Sequence, residues 1–287
     1  MLSAYPDFFL VGTPKAGTTS IYKYMDQNPE IFVPLVKEPN YFTDFGPNCK
    51  MGTNIKDLNK YLSLYTTAQP IQKKGDFSVS YMHDHQAYMK IHECNPNAKI
   101  IMVIRQPVNR AYSHWLMDKR EGFTDGEFYN DFLKDVNFEG KKGFCYNSMY
   151  YDCSLYADDI EKYRSLFSDV LILVYEEIFA DMKKTMESIY SFLNVDNINN
   201  HNLTRYNESG EVKNKLFKWI YANKAARRIF KVIIPENFKG SFREKIMVKS
   251  DSKINEADFG KTVSYFKDDV IKVRELLSRP NLWPEIQ

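Results

Sequence analysis

The chain has 287 residues, of which 44% are hydrophobic, so it is long enough to bury one large core or two small ones. Its 39 basic and 37 acidic residues leave a formal net charge of +2 and a pI of about 8.1. This balance argues against a protein that binds nucleic acid or a membrane surface, but it is compatible with a site for a small anion.

Apolar runs and helical patterns alternate along the chain. Buried parallel strands are predicted at FFLVG, at the shorter QKKGDF, at KIIMVI and at VLILVY. Helices are predicted at TTSIYKYMDQN, DHQAYMKIHECN, PVNRAYSHWLMDKR and YADDIEKYRSLF, and over Asp181–Leu193 and Glu256–Leu277. The alternation predicts an α/β fold with a parallel sheet flanked by helices, and without a linker we expect a single domain over residues 1–287.

The first predicted strand leads into FFLVGTPKAGTTS, residues 8–20. Gly12 and Gly17 have the spacing of a Walker A loop, and two threonines open the next helix. Backbone N–H groups and the positive end of the helix dipole bind an anion at such a turn. Thr18 stands where the Walker loop has its lysine, and Lys15 lies in the middle of the loop. The stretch therefore predicts a P-loop-like phosphate site, but not ordinary ATP hydrolysis.

A second strand-to-helix stretch is KIIMVIRQPVNRAYS, residues 99–113. In a P-loop NTPase such a strand often ends in a carboxylate that helps to hold Mg²⁺. Here Arg105 occupies that place, and Arg110 and Ser113 follow on the next helix. A guanidinium pairs bidentately with a phosphate, and a hydroxyl adds a donor. We interpret Arg105 and Ser113 as phosphate ligands and leave open whether Arg110 only braces the loop.

With these two motifs the chain resembles the sulfotransferases that use 3′-phosphoadenosine 5′-phosphosulfate (PAPS). TPKAGTTS is similar to their 5′-phosphosulfate loop, and VIRQPVNRAYS to their 3′-phosphate motif, R-x-P-x-x-R-x-x-S. KEPNYF, residues 37–42, resembles the segment that carries the catalytic glutamate in the carbohydrate branch, the heparan-sulfate-sulfotransferase-like group with many bacterial members. SLYADD, residues 154–159, resembles that branch's G-x-Y-A-x-x-L helix start, with Ser154 in place of glycine.

The resemblance implies transfer of a sulfuryl group from PAPS to an acceptor hydroxyl, with a sugar as the leading acceptor. The product would be adenosine 3′,5′-bisphosphate (PAP), and no metal would be needed. The catalytic residues would be Lys15, Glu38 and Asp76. The cofactor-binding residues would be Pro14, Lys15, Ala16, Gly17, Thr18, Thr19, Ser20, Arg105, Ser113 and Lys213. Lys213, with Gly210, matches only loosely the family's late loop over the 3′-phosphate.

Physical chemistry assigns different tasks to the three catalytic candidates. A cation at Lys15 would stabilise the negative charge that grows on the oxygen between sulfur and phosphorus. Glu38 would accept the proton of the acceptor hydroxyl, and a surface pair with Lys37 is the alternative. Asp76 would lie on the acceptor side or orient a lysine, although Phe77 stands where many relatives carry that lysine.

Two histidines are rival bases, because the small-molecule sulfotransferases use a histidine. His83 and His85 flank Asp84 in the sequence HDH, which precedes a predicted helix. We expect helix-capping or surface positions for both histidines.

Other functions stay open beside the leading one. The acceptor could instead be a small natural product or a lipid. A P-loop kinase or NTPase is the alternative from another class, and its need for Mg²⁺ would distinguish it. A nucleotide-binding module without catalysis is a third hypothesis, which detectable turnover would exclude.

The cysteines and the N-terminus bear on location. Cys49, Cys94, Cys145 and Cys153 lack the spacing of a zinc site, so no metal is expected. Free thiols are the expectation, with a Cys145–Cys153 pair as the alternative. The apolar run in MLSAYPDFFLVG is too short for a signal or an anchor, so we expect a cytoplasmic enzyme without a membrane span or a nucleic-acid partner.

Overall fold

A five-stranded parallel sheet forms the centre of the fold, with strand order β2-β3-β1-β4-β5. The computed structural model describes residues 5–46, 49, 54–198, 210–212, 247–249 and 253–287. The strands of the sheet are β1 (Phe8–Gly12), β2 (Ile31–Phe32), β3 (Lys73–Asp76), β4 (Lys99–Ile104) and β5 (Val170–Val174). A separate antiparallel pair consists of β6 (Gly210–Val212) and β7 (Met247–Lys249). The four predicted strands and the α/β class are confirmed.

Helices connect and cover the strands. In chain order they are α1 (Thr18–Met25), α2 (Leu58–Ser63), α3 (Ala87–Cys94), α4 (Pro107–Glu121), α5 (Phe128–Val136), α6 (Ala157–Leu166), α7 (Tyr175–Ala180), α8 (Met182–Leu193), α9 (Glu256–Val263) and α10 (Lys267–Leu277). The single helix predicted over Glu256–Leu277 is divided by a 3₁₀ turn at Ser264–Phe266. Two of the helices that the sequence did not predict, α2 and α7, are only six residues long.

The central strands β1 and β4 are buried on both faces, which explains why β1 and all of β4 after Lys99 consist of apolar residues and glycine, whereas β3 has the sequence KKGD. Side chains alternate between two hydrophobic clusters along the central strands. One cluster contains Phe9, Val11, Ile100, Met102 and Ile104, and the other contains Phe8, Leu10, Ile101 and Val103.

The strand order places the site. The chain proceeds from β1 to one side of the sheet and then crosses to β4 on the other side of β1. Ligands of open α/β sheets bind at the carboxyl ends of the strands, at the point where the strand order reverses. The loop after β1, the end of β3 at Asp76 and the end of β4 before Arg105 share this edge of the sheet.

The cysteines depart from the expectation. Cys49 and Cys145 form a disulfide between positions 96 residues apart, with their Cα atoms at 5.1 Å, so free thiols and a Cys145–Cys153 pair are both wrong predictions for Cys145. Cys94 and Cys153 carry free thiols. The two bonded segments meet through tertiary structure, because the Gly46 amide donates to the Phe144 carbonyl at 3.0 Å. No local spacing could have indicated this pair.

Candidate active site

The loop between β1 and α1 has a backbone shape that requires glycine at two places. Gly12 has φ 147°, and a Cβ there would lie 2.8 Å from the Val79 carbonyl oxygen. Gly17 has φ 80° and precedes α1, and its Cβ would lie 2.7 Å from the ring of Phe179. The N-cap residue Gly17 supplies no side-chain cap to the first turn of α1, which Thr18 and Thr19 open. The turn therefore offers its N–H groups to an anion.

The second phosphate motif touches the first. Nη1 of Arg105 donates to the carbonyl oxygen of Lys15 at 2.9 Å, and the guanidinium lies 4.3 Å from the ring centre of Tyr175. The Tyr156 hydroxyl donates to the Arg105 carbonyl at 2.7 Å. Nε of Arg105 is buried and makes no hydrogen bond within the described part of the chain. A buried guanidinium N–H without a partner is unusual, and a phosphate oxygen would satisfy it.

The Lys15 side chain extends toward α4. Its Nζ lies 3.7 Å from Sδ of Met117, and Ser113 lies one turn before Met117 on the same face of that helix. Burial, followed by the charges of Arg120, Arg105 and Arg110, lowers the pKa of Lys15 to about 8, whereas Asp118 opposes the shift. The Lys15 ammonium group is thus surrounded by positive charges, and an anionic ligand would offset their mutual repulsion.

Arg110 is a brace. Its side chain is fully buried, and Nε donates to Oγ of Ser154 at 2.7 Å. Nη2 donates to the carbonyl oxygens of Met149 and Tyr150 at 3.1 and 2.8 Å, and Nη1 lies 3.2 Å from Nδ1 of His114. All three guanidinium nitrogens therefore have partners, and Arg110 holds the segment before α6 in place. This geometry fits a bracing role for Arg110 rather than a role as a phosphate ligand. Ser154 is the acceptor that a glycine could not supply.

Glu38 lies on a loop beside the end of β3. It has φ 58°, forms an ion pair with Lys37, and its side chain is 36% exposed. The following turn is fixed by Asn40, whose side chain donates to the Glu38 carbonyl at 2.8 Å and whose backbone N–H donates to Oγ of Ser78 at 3.0 Å. The alternative pairing of Glu38 with Lys37 is thus present, and the Glu38 carboxylate is also accessible from solvent.

Asp76 lies beneath that loop. It is fully buried and accepts hydrogen bonds from the hydroxyls of Tyr61, Tyr81 and Ser78 at 2.8, 2.9 and 2.7 Å. Burial raises the pKa of Asp76 to about 6, although the three hydrogen bonds act in the opposite direction. Because Ser78 also receives the Asn40 amide, Asp76 supports the segment that carries Glu38.

The structure brings some predicted residues together and separates others. Lys15 and Arg105 meet directly, and Ser113 faces the same side of α4 as the Lys15 contact. Within the described ranges no hydrogen bond or ion pair joins Lys15 to Glu38 or to Asp76. Pro14 and Ala16 lie in the loop between β1 and α1, and Ser20 lies in the first turn of α1. Lys213 lies outside the described residues, so its role stays a prediction.

His83 contradicts the expectation of a surface or capping position. It is buried, and its Nε2 lies 2.8 Å from Oγ1 of Thr13, the first loop residue. Oδ1 of Asp84 accepts from the amides of Gln86, the N-cap residue of α3, and of Ala87, its first residue. His85 is exposed, as expected. No local pattern distinguishes the two histidines, because their burial depends on residues far away in the chain.

The described residues contain neither a metal-binding cluster nor a membrane-spanning helix. No group of three or more His, Cys, Asp or Glu side chains with the geometry to hold a metal ion is found there. Among the same residues, none of the helices has the length and apolar character that crossing a bilayer requires.

Comparison with known proteins agrees with the geometry. The chain matches the family model described as "Sulfotransferase domain" over residues 5–273. Its curated relatives include carbohydrate and heparan sulfate sulfotransferases. Carbohydrate sulfotransferase 15 of Homo sapiens is 26% identical over 250 residues, which cover 68% of this chain and 44% of that protein. The chain thus spans less than half of this relative's length.

Two solved structures share the fold. A sulfotransferase from Alicyclobacillus acidocaldarius superimposes with a TM-score of 0.71 at 21% identity and covers 96% of both chains. The mouse sulfotransferase SULT7A1, complexed with PAP, gives a TM-score of 0.51 at 14% identity, over 95% of this chain and 89% of its own. With a family model that spans nearly its whole length, the chain belongs to the sulfotransferase domain family.

Proposed function

We propose that this protein transfers the sulfuryl group of PAPS to a hydroxyl group, and that the acceptor is a carbohydrate. The observation that carries the proposal is the position of Arg105, which donates to the Lys15 carbonyl of the glycine-bounded loop and whose buried Nε has no hydrogen-bond partner among the described residues. A guanidinium in this position suits a second phosphate beside the loop's own anion site. A nucleotide with phosphates on both its 5′ and 3′ sides meets both requirements.

The residues of the chain fit such a ligand. N–H groups of the loop at residues 14–20 would hold the 5′-phosphosulfate, and Arg105 with Ser113 would hold the 3′-phosphate. PAPS supplies an activated sulfuryl group on its 5′-phosphate. The related fold of the mouse sulfotransferase complexed with PAP supports this assignment.

The catalytic task divides between a base and a cation. Glu38 accepts the proton of the acceptor hydroxyl as its oxygen bonds to sulfur. As the bond from sulfur to the phosphate oxygen breaks, Lys15 stabilises the charge left on that oxygen. Asp76 is fully buried under three hydroxyl donors, so we assign it a positioning role for the Glu38 loop.

The choice of acceptor rests on the relatives of this chain. Carbohydrate and heparan sulfate sulfotransferases among the relatives support a sugar. A small natural product or a lipid would use the same donor chemistry, so transfer of label from PAPS to a panel of acceptors decides among them.

Binding experiments separate the proposal from the kinase alternative. Calorimetry and thermal shift should give tighter binding of PAP than of AMP or ATP·Mg²⁺, with an increase of the melting temperature by mass action. Turnover should persist in EDTA. A preference for ATP·Mg²⁺ would favour the P-loop kinase or NTPase instead.

The disulfide bears on the cytoplasmic location that is expected from the sequence. The Cys49–Cys145 disulfide counts against it, because such bonds are rare in reducing compartments. Thiol titration of protein recovered from its native source, with alkylation at lysis, would decide between a reduced cytoplasmic and an oxidised extracytoplasmic protein.

A further inference from the structure

A buried histidine lies directly under the phosphate loop. The ring of His83 joins two distant elements, with Nε2 at 2.8 Å from Oγ1 of Thr13 and Nδ1 at 2.8 Å from Oδ2 of Asp159 on α6. Thr13 itself is fully buried, and its backbone N–H donates to the Val103 carbonyl of β4 at 2.7 Å. The histidine therefore contacts the first residue of the loop, at the point where β1 ends.

The hydrogen-bond partners of the His83 ring determine which of its nitrogens carry protons. The Thr13 hydroxyl has one proton, and it donates that proton to the carbonyl oxygen of Cys153 at 3.0 Å, since a carbonyl can only accept. Oγ1 of Thr13 must then accept from His83, so Nε2 carries a proton. Nδ1 faces a carboxylate oxygen of Asp159, which accepts as well. A ring that donates from both nitrogens is an imidazolium.

On the side of the His83 ring that faces α6, the neighbouring charges are compatible with an imidazolium. Asp159 accepts from Lys162 at 3.1 Å on its other oxygen, so its carboxylate has cations on both sides. The ring of Tyr156 lies 6.5 Å from the histidine ring, and the carboxylate of the neighbouring Asp84 accepts from the amides of Gln86 and Ala87 at the start of α3.

On the side of α4 the neighbours are basic. Burial, and then the positive charges of Arg110, Lys15 and His83, hold the pKa of His114 well below its usual value. His114 is therefore neutral and adds no positive charge that would repel the imidazolium. Among the described residues, Asp159 is the carboxylate that pairs with His83, which makes it the partner to test.

We propose that His83 is a positioning residue that, as a buried imidazolium held by Asp159, fixes Thr13 and so keeps the loop shaped for the phosphosulfate. The inference rests on the proposed function for the identity of the anion, but not for the charge of the ring. A loop that is fixed before the ligand arrives loses less entropy on binding and keeps its donors aligned.

The charge is tested without any ligand. Ring-nitrogen NMR reads the protonation of His83 directly, and His83→Gln assigns the signal. We expect both nitrogens to carry protons at neutral pH, and one of them to lose its proton in Asp159→Asn. A wild-type ring with one bare nitrogen at neutral pH overturns the inference.

The positioning role is tested by PAP affinity, measured calorimetrically. His83→Gln should weaken PAP binding about tenfold, whereas the exposed His85→Gln should bind like wild type. Thr13→Val removes the contacted hydroxyl and should give a similar loss. Adding His83→Gln to Thr13→Val should then cost little more, because both changes break the same connection.

The outcomes separate the two proposals. Wild-type protein that binds no PAP contradicts the proposed function, and the NMR signal still decides the state of His83. Wild-type protein that binds PAP while His83→Gln binds it equally well overturns only the positioning role. Fully additive losses in the double variant overturn it too, because they would indicate general loosening of the fold, which melting temperatures would show.

Discussion

Nη1 of Arg105 donates to the carbonyl oxygen of Lys15 at 2.9 Å, so the end of β4 is tied to the middle of the loop after β1. This bond constrains the backbone of Lys15, which has φ 71°. Nε of the same arginine is buried and has no hydrogen-bond partner in the part of the chain that the structure describes. One guanidinium thus shapes one anion site and has donor capacity left for a second anion beside it.

Arg105→Lys should therefore weaken PAP more than AMP, because only PAP carries the 3′-phosphate. Lysine keeps a charge but not the fork of donors, and losing charge-assisted hydrogen bonds costs about 1.5–3 kcal/mol each. We expect PAP affinity to fall by at least tenfold by calorimetry. Arg279→Lys, in an exposed pair with Glu177, is the matched control and should leave affinity unchanged. An unaltered ratio of PAP to AMP affinity would refute the 3′-phosphate assignment.

Lys15→Ala should reduce kcat far more than it reduces PAP affinity. A donor aimed at the developing charge contributes about 3 kcal/mol to the transition state, or roughly 150-fold in rate. Single-turnover kinetics and product binding measure the two effects separately. Lys23→Ala, an exposed lysine on α1, serves as the control. Comparable losses in kcat and in PAP affinity would make Lys15 a simple phosphate anchor.

Lys15 also predicts the alkaline limb of the pH profile. Burial and three arginines lower its pKa to about 8, so the free enzyme loses this ammonium as pH rises through about 8. Since kcat/KM reports the free enzyme, it should decline above that pH. In Lys15→Arg the group stays charged, and the decline should disappear while some activity remains. A limb that persists unchanged in Lys15→Arg would assign it to another group.

Much of the fold was predictable because its signals are local. Strands buried on both faces are continuous apolar runs, and the glycine-bounded loop and the strand end at Arg105 are contiguous motifs. Strand β2 has only two residues, too short for any periodicity. Helix α7 starts at Tyr175, directly after β5, so the apolar run concealed the boundary.

The unpredicted parts of the site are contacts between distant positions. The Thr13–His83 and His83–Asp159 contacts bridge 70 and 76 residues, and the disulfide bridges 96. Each partner is ordinary in its own segment, so composition and spacing contain no signal for the pairing. Of the three hydroxyls that donate to Asp76, those of Ser78 and Tyr81 follow in the same segment, and that of Tyr61 comes from α2.

The disulfide predicts a redox-dependent stability. Reduction, or a Cys49→Ser/Cys145→Ser double variant, should lower the melting temperature, because a closed loop of about 100 residues restricts the unfolded chain by up to about 4.7 kcal/mol. Calorimetry with and without reductant measures the difference, and reductant should not affect the double variant. Cys94→Ser is the control, since that thiol is free. Four titratable thiols in the untreated native protein would contradict the pairing.

Glu38→Gln tests the base. The amide keeps size and hydrogen bonding but accepts no proton, so kcat should fall by roughly 10²–10⁴-fold while PAP affinity stays near wild type. Lys37→Met separates this role from the alternative, since it breaks the same ion pair but keeps the carboxylate. If the pair only stabilises the surface loop, both variants should have equally small effects. A large loss in Glu38→Gln beside a small one in Lys37→Met supports catalysis. Should Glu38→Gln stay active while His85→Ala does not, the base would be a histidine, as in the small-molecule sulfotransferases, and the argument for a sugar acceptor would weaken with it.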